Sequence, residues 1–265
     1  MIVAVLAVTR MRHFVPQTSS GCLVSGRSFD VTLTPSQAAI AATIAGVATE
    51  RGLPRRAVTI AYATALQESD LQNLPYGDRD SVGVFQQRPS QGWGPRKDLL
   101  DPAYAAGRFF AALAAVPGYQ RMRIDQAAQA VQRSADGSAY GQYAPQGTIM
   151  SDGFTGQQPH AVWCWYTGGV TGRGRLAAAS GGLVRAFGHL KIGHAKDPAV
   201  VVRPSSADAG WSMAAWLVTN ASDYGIRYVR YQGLEWTASS GQRGWAPAAA
   251  AHSRPQTGRS LTFGW

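Results

Sequence analysis

The side chains equipped for chemistry gather in one stretch, ALQESDLQNLPYGDRDSVGVFQQRPSQGWG, running from Ala65 to Gly94. It carries Glu68, one of three glutamates in the chain, followed by Asp78, Asp80, Ser81, Gln86, Gln87, Arg88 and Trp93. A carboxyl group near a helix C-terminus faces the negative end of the helix macrodipole, and partial burial removes hydration; both effects disfavour the charged form. Such a group suits a general acid working near neutrality. Glycosidic cleavage needs that acid at the leaving oxygen, with a second carboxylate or a nucleophile of the sugar itself completing the reaction. Glu68 is the candidate acid, and Asp78 and Asp80 are the candidate second carboxylates. The plain alternatives are a solvated helix-end glutamate and a pair of Asx-turn residues holding YGDRDS.

Helices must position this stretch. Thr34-Pro35-Ser36-Gln37 has the form of a capping box with proline at the first helical position, opening an Ala/Ile-rich helix that ends near Gly52. Pro54 introduces a second helix over roughly 55–71, in which Ala57, Ala61, Thr64, Ala65 and Glu68 share one face. Turn residues then frame VGVFQQ, whose alternation predicts a short sheet or irregular hairpin before PSQGWGP returns to turns. Helical periodicity resumes from Asp101-Pro102 to about Val116 and from Ile124 to Gln132.

The glycine- and aromatic-rich TGQQPHAVWCWYTGGVTGRGR reads as a loop with linker character, and a boundary is expected near Gly169. GGVTGRG has neither the spacing of a dinucleotide fingerprint nor a P-loop ending. Beyond it, AVVV predicts a strand, DAGWSMAAWLVTNASDYG an amphipathic helix stopped at Gly225, and IRYVRY, LEWTA and SLTF three further strands with a turn at Gln232-Gly233. The expected fold class is therefore α+β. Residues 1–30 are read as the remnant of an export signal or anchor plus a stalk, 31–168 as a mainly helical domain with a β-wing, and 169–265 as a small independent α+β domain. Trp211, Trp216 and Trp236 are read as core.

With 45% hydrophobic and 15% charged residues the 265-residue chain should fold. A net charge of +10 favours polyanionic surroundings, such as anionic wall polymers. The cations are scattered, as at Arg55, Arg79, Arg121 and Arg173, without the compact block of a nucleic-acid binder. The apolar run Ile2 to Val8 is too short to span a bilayer, and it reads either as a frayed strand or as the tail of a truncated export signal. Export would make Cys22 and Cys164 a natural disulfide, the alternative being two unrelated buried thiols. His189 and His194 stand alone as a hint of metal, so neither metal nor cofactor is expected.

Glu68-Ser69 followed by Ser81-Val82-Gly83-Val84-Phe85-Gln86 resembles the pattern of soluble lytic transglycosylases in the lysozyme-like superfamily. Residues Thr34 to about Gly156 are similar to an actinobacterial group of exported lysozyme-like proteins with the hallmark ALQES, NL, YGDRDS, G and FQQRPSQGWG. Residues 197–265 look like the small C-terminal domain often found behind it, with PSSADAGW and the WLV and YGI elements. The resemblance implies a monomeric protein of the cell envelope acting on peptidoglycan, with Glu68 as catalytic acid. It implies that Gln86 lines the glycan groove, with Ser81, Gln87, Arg88 and Trp93 beside it. Amides pair sugar hydroxyls, and an indole stacks on a sugar ring. A departure from the pattern is the polar Arg79-Asp80-Ser81 before Gly83, where small residues are usual.

Two functions of different class follow, with an envelope-bound assembly factor as a third. A glycan-cleaving enzyme needs Glu68 at the floor of an open cleft with Gln86 across from it. An idle wall-binding module is expected to show a filled cleft or a Glu68 locked by arginine.

Overall fold

The fold is that of a computed structural model, which describes residues 19–132, 138–194, 199–249 and 260–265. The run Ile2 to Val8 lies outside them. The chain is α+β, with helices dominating residues 35–154 and a large antiparallel sheet in the last third.

Two short strands, β1 (Gly21–Val24) and β2 (Val31–Leu33), precede helix α1 (Pro35–Glu50). The capping box forms as the sequence predicts: the Thr34 side chain accepts from Gln37 N (3.3 Å), while Gln37 Oε1 accepts from Thr34 N (2.9 Å). α1 is buried on nearly every side because Ala38, Ala41, Ala42, Ala45 and Ala48 let neighbours approach closely. Helix α2 (Arg55–Ser69) follows, likewise built on small residues. Then come the one-turn α3 (Arg96–Leu99), α4 (Pro102–Ala114), α5 (Ile124–Gln132), a 3₁₀ segment Ser138–Tyr143 and α6 (Ala144–Phe154). α6 crosses α2 so closely that a Cβ on Gly147 would lie 3.0 Å from the Thr59 carbonyl oxygen.

The expected β-wing is much reduced. Val82 and Gln87 make one isolated antiparallel bridge, and the rest of residues 76–93 is turns with a 3₁₀ helix at Pro89–Gln91. The alternation read in VGVFQQ is not expressed, because Val82, Val84 and Phe85 are all buried and leave no solvent face.

Strand β3 (Val162–Trp165) lies inside the segment read as a linker, and it pairs with β1 to complete a sheet of order β2-β1-β3. All four residues of β3 are buried, so VWCW is a continuous apolar run with no period to detect. The expected stalk therefore ends before Gly21, since Gly21–Val24 is the central strand of this sheet. Cys22 pairs with Cys164 across the β1–β3 ladder, their Cα atoms 3.9 Å apart, and the two form the disulfide.

Helix α7 (Leu176–Phe187) precedes β4 (Lys191–His194), β5 (Ala199–Arg203), α8 (Ala207–Thr219) and the short α9 (Ala221–Tyr224). The single expected helix to Gly225 is thus broken at Asn220. Strands β6 (Tyr228–Tyr231), β7 (Leu234–Thr237), β8 (Ala246–Pro247) and β9 (Leu261–Gly264) complete an antiparallel sheet of order β4-β5-β9-β6-β7-β8. The turn at Gln232-Gly233 has both residues at positive φ, as a two-residue hairpin requires.

The C-terminal third does not form a core of its own. One hydrophobic cluster runs from Cys22 to Phe263, and α8, buried from Ala209 to Thr219, packs on α1. Trp216 Nε1 donates to Thr43 Oγ1 (3.2 Å), and the Tyr166 hydroxyl donates to the Val218 carbonyl (2.6 Å). Trp236 Nε1 donates to the Cys164 carbonyl (2.9 Å). Gly169 does lie in a turn at positive φ, but the elements on either side of it share a single interior. Trp211, Trp216 and Trp236 are buried in that interior.

Candidate functional site

Glu68 occupies the last turn of α2 and is half-buried. The helix stops because Asp70 and Leu71 take left-handed φ values of 51° and 56°. Three side chains fix that end. Gln37 Nε2 donates to the Asp70 carbonyl (2.8 Å) and carboxylate (3.1 Å), so the residue that caps the start of α1 also pins the end of α2. The Ser69 hydroxyl donates to the Val84 carbonyl (2.8 Å), tying α2 to the turn segment. Phe85 anchors that segment from below, its ring stacked on Phe109 of α4 at 4.6 Å.

The Glu68 carboxyl is oriented by two groups. Its Oε1 accepts from the Tyr140 hydroxyl at 2.6 Å and from Gln132 Nε2 at 3.0 Å, and Gln132 also donates to the Phe85 carbonyl at 2.8 Å. Among the described residues no cation pairs with Glu68, and Oε2 takes no hydrogen bond from the protein. One oxygen is therefore held, and the other makes no hydrogen bond among the described residues. Tyr140 and Gln132 were not legible in sequence. Tyr140 lies in a 3₁₀ segment 72 residues from Glu68, and Gln132 merely ends an amphipathic helix.

An open groove of about 680 Å³ is lined by residues of α4, α5 and the turn at Gly92, with Gln132 among them. Gln91, Trp93, Arg108 and Gln132 line it together with the small apolar Ala111, Ala112, Ala115, Val116, Ala130 and Val131. Trp93 is thus placed on an accessible groove.

The other expected groove residues serve the turn segment instead. Ser81 is 4% exposed and donates to the Asp78 carbonyl (2.6 Å). Gln86, at φ 45°, points its amide back into the segment, donating to the carbonyls of Tyr76 (3.3 Å) and Gly83 (3.1 Å). Gln87 is 1% exposed, its Nε2 on the Ala105 carbonyl (3.3 Å). The reading of Ser81 and Gln87 as ligand contacts is corrected by their burial, and that of Gln86 by its orientation. Gly83 is required here, since at φ 76° a Cβ would lie 2.4 Å from the Leu99 carbonyl oxygen.

The two candidate second carboxylates differ. Asp78 is 92% exposed at its side chain and lies 4.0 Å from Arg79. Asp80 accepts from Arg88 Nε (2.9 Å), Ser90 N (2.7 Å) and Ser90 Oγ (2.9 Å). The Arg88 guanidinium first, and then the Ser90 backbone N–H, hold its carboxyl well below the usual carboxylate range. Asp80, Arg88 and Ser90 therefore clasp the two ends of the segment across eight to ten residues. Among the described residues no three His, Cys, Asp or Glu side chains gather to hold a metal ion.

A family model described as VldE, C-terminal domain, matches residues 180–257. The matched region takes in most of α7, the helix α8 and strands β4 to β8, and it contains neither Glu68 nor the groove. No curated protein matches the chain.

Proposed function

We propose that this chain is an exported lysozyme-like protein that cleaves peptidoglycan glycan strands, with Glu68 as the general acid. The observation that carries the reading is the Glu68 carboxyl: Oε1 is fixed by Tyr140 and Gln132, Oε2 takes no hydrogen bond among the described residues, and the open groove that carries the Trp93 indole is lined in part by the same Gln132. A proton donor must be oriented yet keep one oxygen for the leaving group. Asp80 is bound in its own ion pair and Asp78 faces solvent, so neither is poised as a partner. The acid-alone route, in which a hydroxyl or other nucleophile of the substrate attacks, therefore fits better than a two-carboxylate hydrolase. The net charge of +10 suits an envelope rich in phosphate and carboxylate polymers.

The wall-binding alternative is favoured by one observation, the inward turn of Gln86, which leaves the groove without the amide expected there. Incubating the protein with purified peptidoglycan and identifying the released muropeptides by mass separates the readings. Anhydro-sugar ends support the transglycosylase, reducing ends a hydrolase, and no release by either wild type or Glu68→Gln with equal binding supports the module.

A further inference from the structure

A second open cavity, of about 630 Å³, is lined by residues of α1 and of the α8–α9 junction, and neither Glu68 nor Trp93 belongs to it. One end of its chemistry is a set of acceptors. Asn220, the C-cap of α8, is 9% exposed; its Nδ2 donates to the Trp216 carbonyl (2.8 Å) and to Thr219 Oγ1 (3.3 Å), while its Oδ1 accepts no hydrogen bond among the described residues. With Nδ2 spent on α8, Oδ1 is what this side chain offers the cavity it lines. Asp223 lines it too, and its carboxylate enters none of the ion pairs of the described residues, since Arg175 donates to the Asp223 backbone carbonyl instead. Both residues follow the C-terminus of the 13-residue α8, where the macrodipole favours a cation.

The other end is the first turn of α1. Thr34 and Gln37 close the capping box on each other and Pro35 has no N–H, so the Ser36 N–H finds no acceptor among the described residues. It lies at the positive end of a 16-residue helix, where an anion is favoured. Pro35, Ala39 and Ile40 add apolar surface to the same cavity.

We propose that this cavity binds a zwitterion of the amino-acid type, a free amino acid or a short peptide. Its ammonium goes to Asn220 Oδ1 and the Asp223 carboxylate, and its carboxylate to the Ser36 N–H. An ammonium only donates, so it suits an amide oxygen and a carboxylate that accept nothing else. A chain of net charge +10 repels a bare cation, and a ligand that brings its own carboxylate avoids that cost. The apolar surface suits a small side chain such as that of alanine. The site is separate from the groove beside Glu68 and does not rest on the glycan reading.

The test titrates the full chain with alanine, alanyl-alanine, N-acetyl-alanyl-alanine and alanyl-alanine amide. We expect alanyl-alanine to bind, and blocking either of its ends to weaken binding about tenfold. Asp223→Asn should weaken alanyl-alanine and its amide about tenfold and leave the acetylated form unchanged. Ser36→Asp puts a carboxylate at a helix end that tolerates it, so it should weaken alanyl-alanine and the acetylated form but not the amide. Both variants should melt within a few degrees of wild type. Saturable binding of alanine alone supports a free amino acid, and binding of alanyl-alanine without alanine supports a peptide; either upholds the site. Acetylated or amidated peptide binding as tightly as alanyl-alanine overturns the zwitterion. A loss that Asp223→Asn inflicts equally on every ligand makes Asp223 a structural residue and overturns its role. Failure of all four to bind up to about 10 mM overturns the site and leaves the glycan reading as it stands.

Discussion

Tyr140 reaches across 72 residues of sequence to donate its hydroxyl proton to Glu68 Oε1 at 2.6 Å. The bond joins the end of α2 to the 3₁₀ segment before α6, and it makes the rotamer of the candidate acid depend on a distant part of the chain. Tyr140→Phe should keep the buried ring and remove the hydroxyl that makes this bond. We expect kcat on peptidoglycan to fall about tenfold, the worth of one hydrogen bond of ~1.4 kcal/mol, with KM nearly unchanged. A purely structural role would instead lower the melting temperature and move both constants.

Glu68→Gln replaces the carboxyl with an amide whose oxygen can still accept from Tyr140 and Gln132. Turnover should drop by the ~10² to 10⁴ typical of lost general acid catalysis, while the melting temperature stays within a few degrees. Muropeptide release by the variant at the wild-type rate sinks the assignment.

Asp80 makes a prediction about pH. Its folded-state pKa lies below the unfolded value, so the clasp contributes fully above about pH 4, the ordinary carboxylate value, and weakens as pH falls towards the depressed folded value. The difference in melting temperature between wild type and Asp80→Asn should be constant near neutrality and shrink below about pH 4. Activity of Asp80→Asn near neutrality should fall only modestly. A loss as large as that of Glu68→Gln would make Asp80 a catalytic carboxylate after all.

The Cys22–Cys164 bridge spans 142 residues, and in the chain-entropy model closing such a loop limits the unfolded state by about 5 kcal/mol. Reduction, or the Cys22→Ala/Cys164→Ala pair, should lower the melting temperature by many degrees. No change would mean that the reduced, unfolded chain is already compact.

Residues 170–265 expressed alone should be molten rather than cooperatively folded, since α8 would lose the face it buries on α1 and Trp216 its bond to Thr43. A sharp thermal transition from this fragment would contradict the single shared core.

Legibility followed the period of the residues. α1, α2, α4 and α5 were readable from capping residues, proline and the spacing of small side chains, and β6 and β7 from strict alternation around Gln232-Gly233. β3 was not, because a strand buried on both faces has no polar beat, and its flanking glycines suggested a loop. In the site, Glu68 was legible as a carboxyl at a helix end, and Trp93 as a groove aromatic. The partners that orient Glu68 were not, since Tyr140 and Gln132 meet it only through the packing of α5 and the 3₁₀ segment against α2. The inward turn of Gln86 depends on its left-handed backbone, which residue type does not announce.

The position of β3 bears on how the molecule must be made. Its residues hold the disulfide partner of β1, and its backbone oxygens at Val162 and Cys164 receive the indole N–H groups of Trp245 and Trp236. During synthesis the strand at Gly21–Val24 has only β2 to pair with until residue 165 has been made, and β3 in turn awaits tryptophans near the end of the chain. Such long-range closure is slow compared with helix formation. Oxidation of the two cysteines can therefore come only late, as a step that locks β1 to β3.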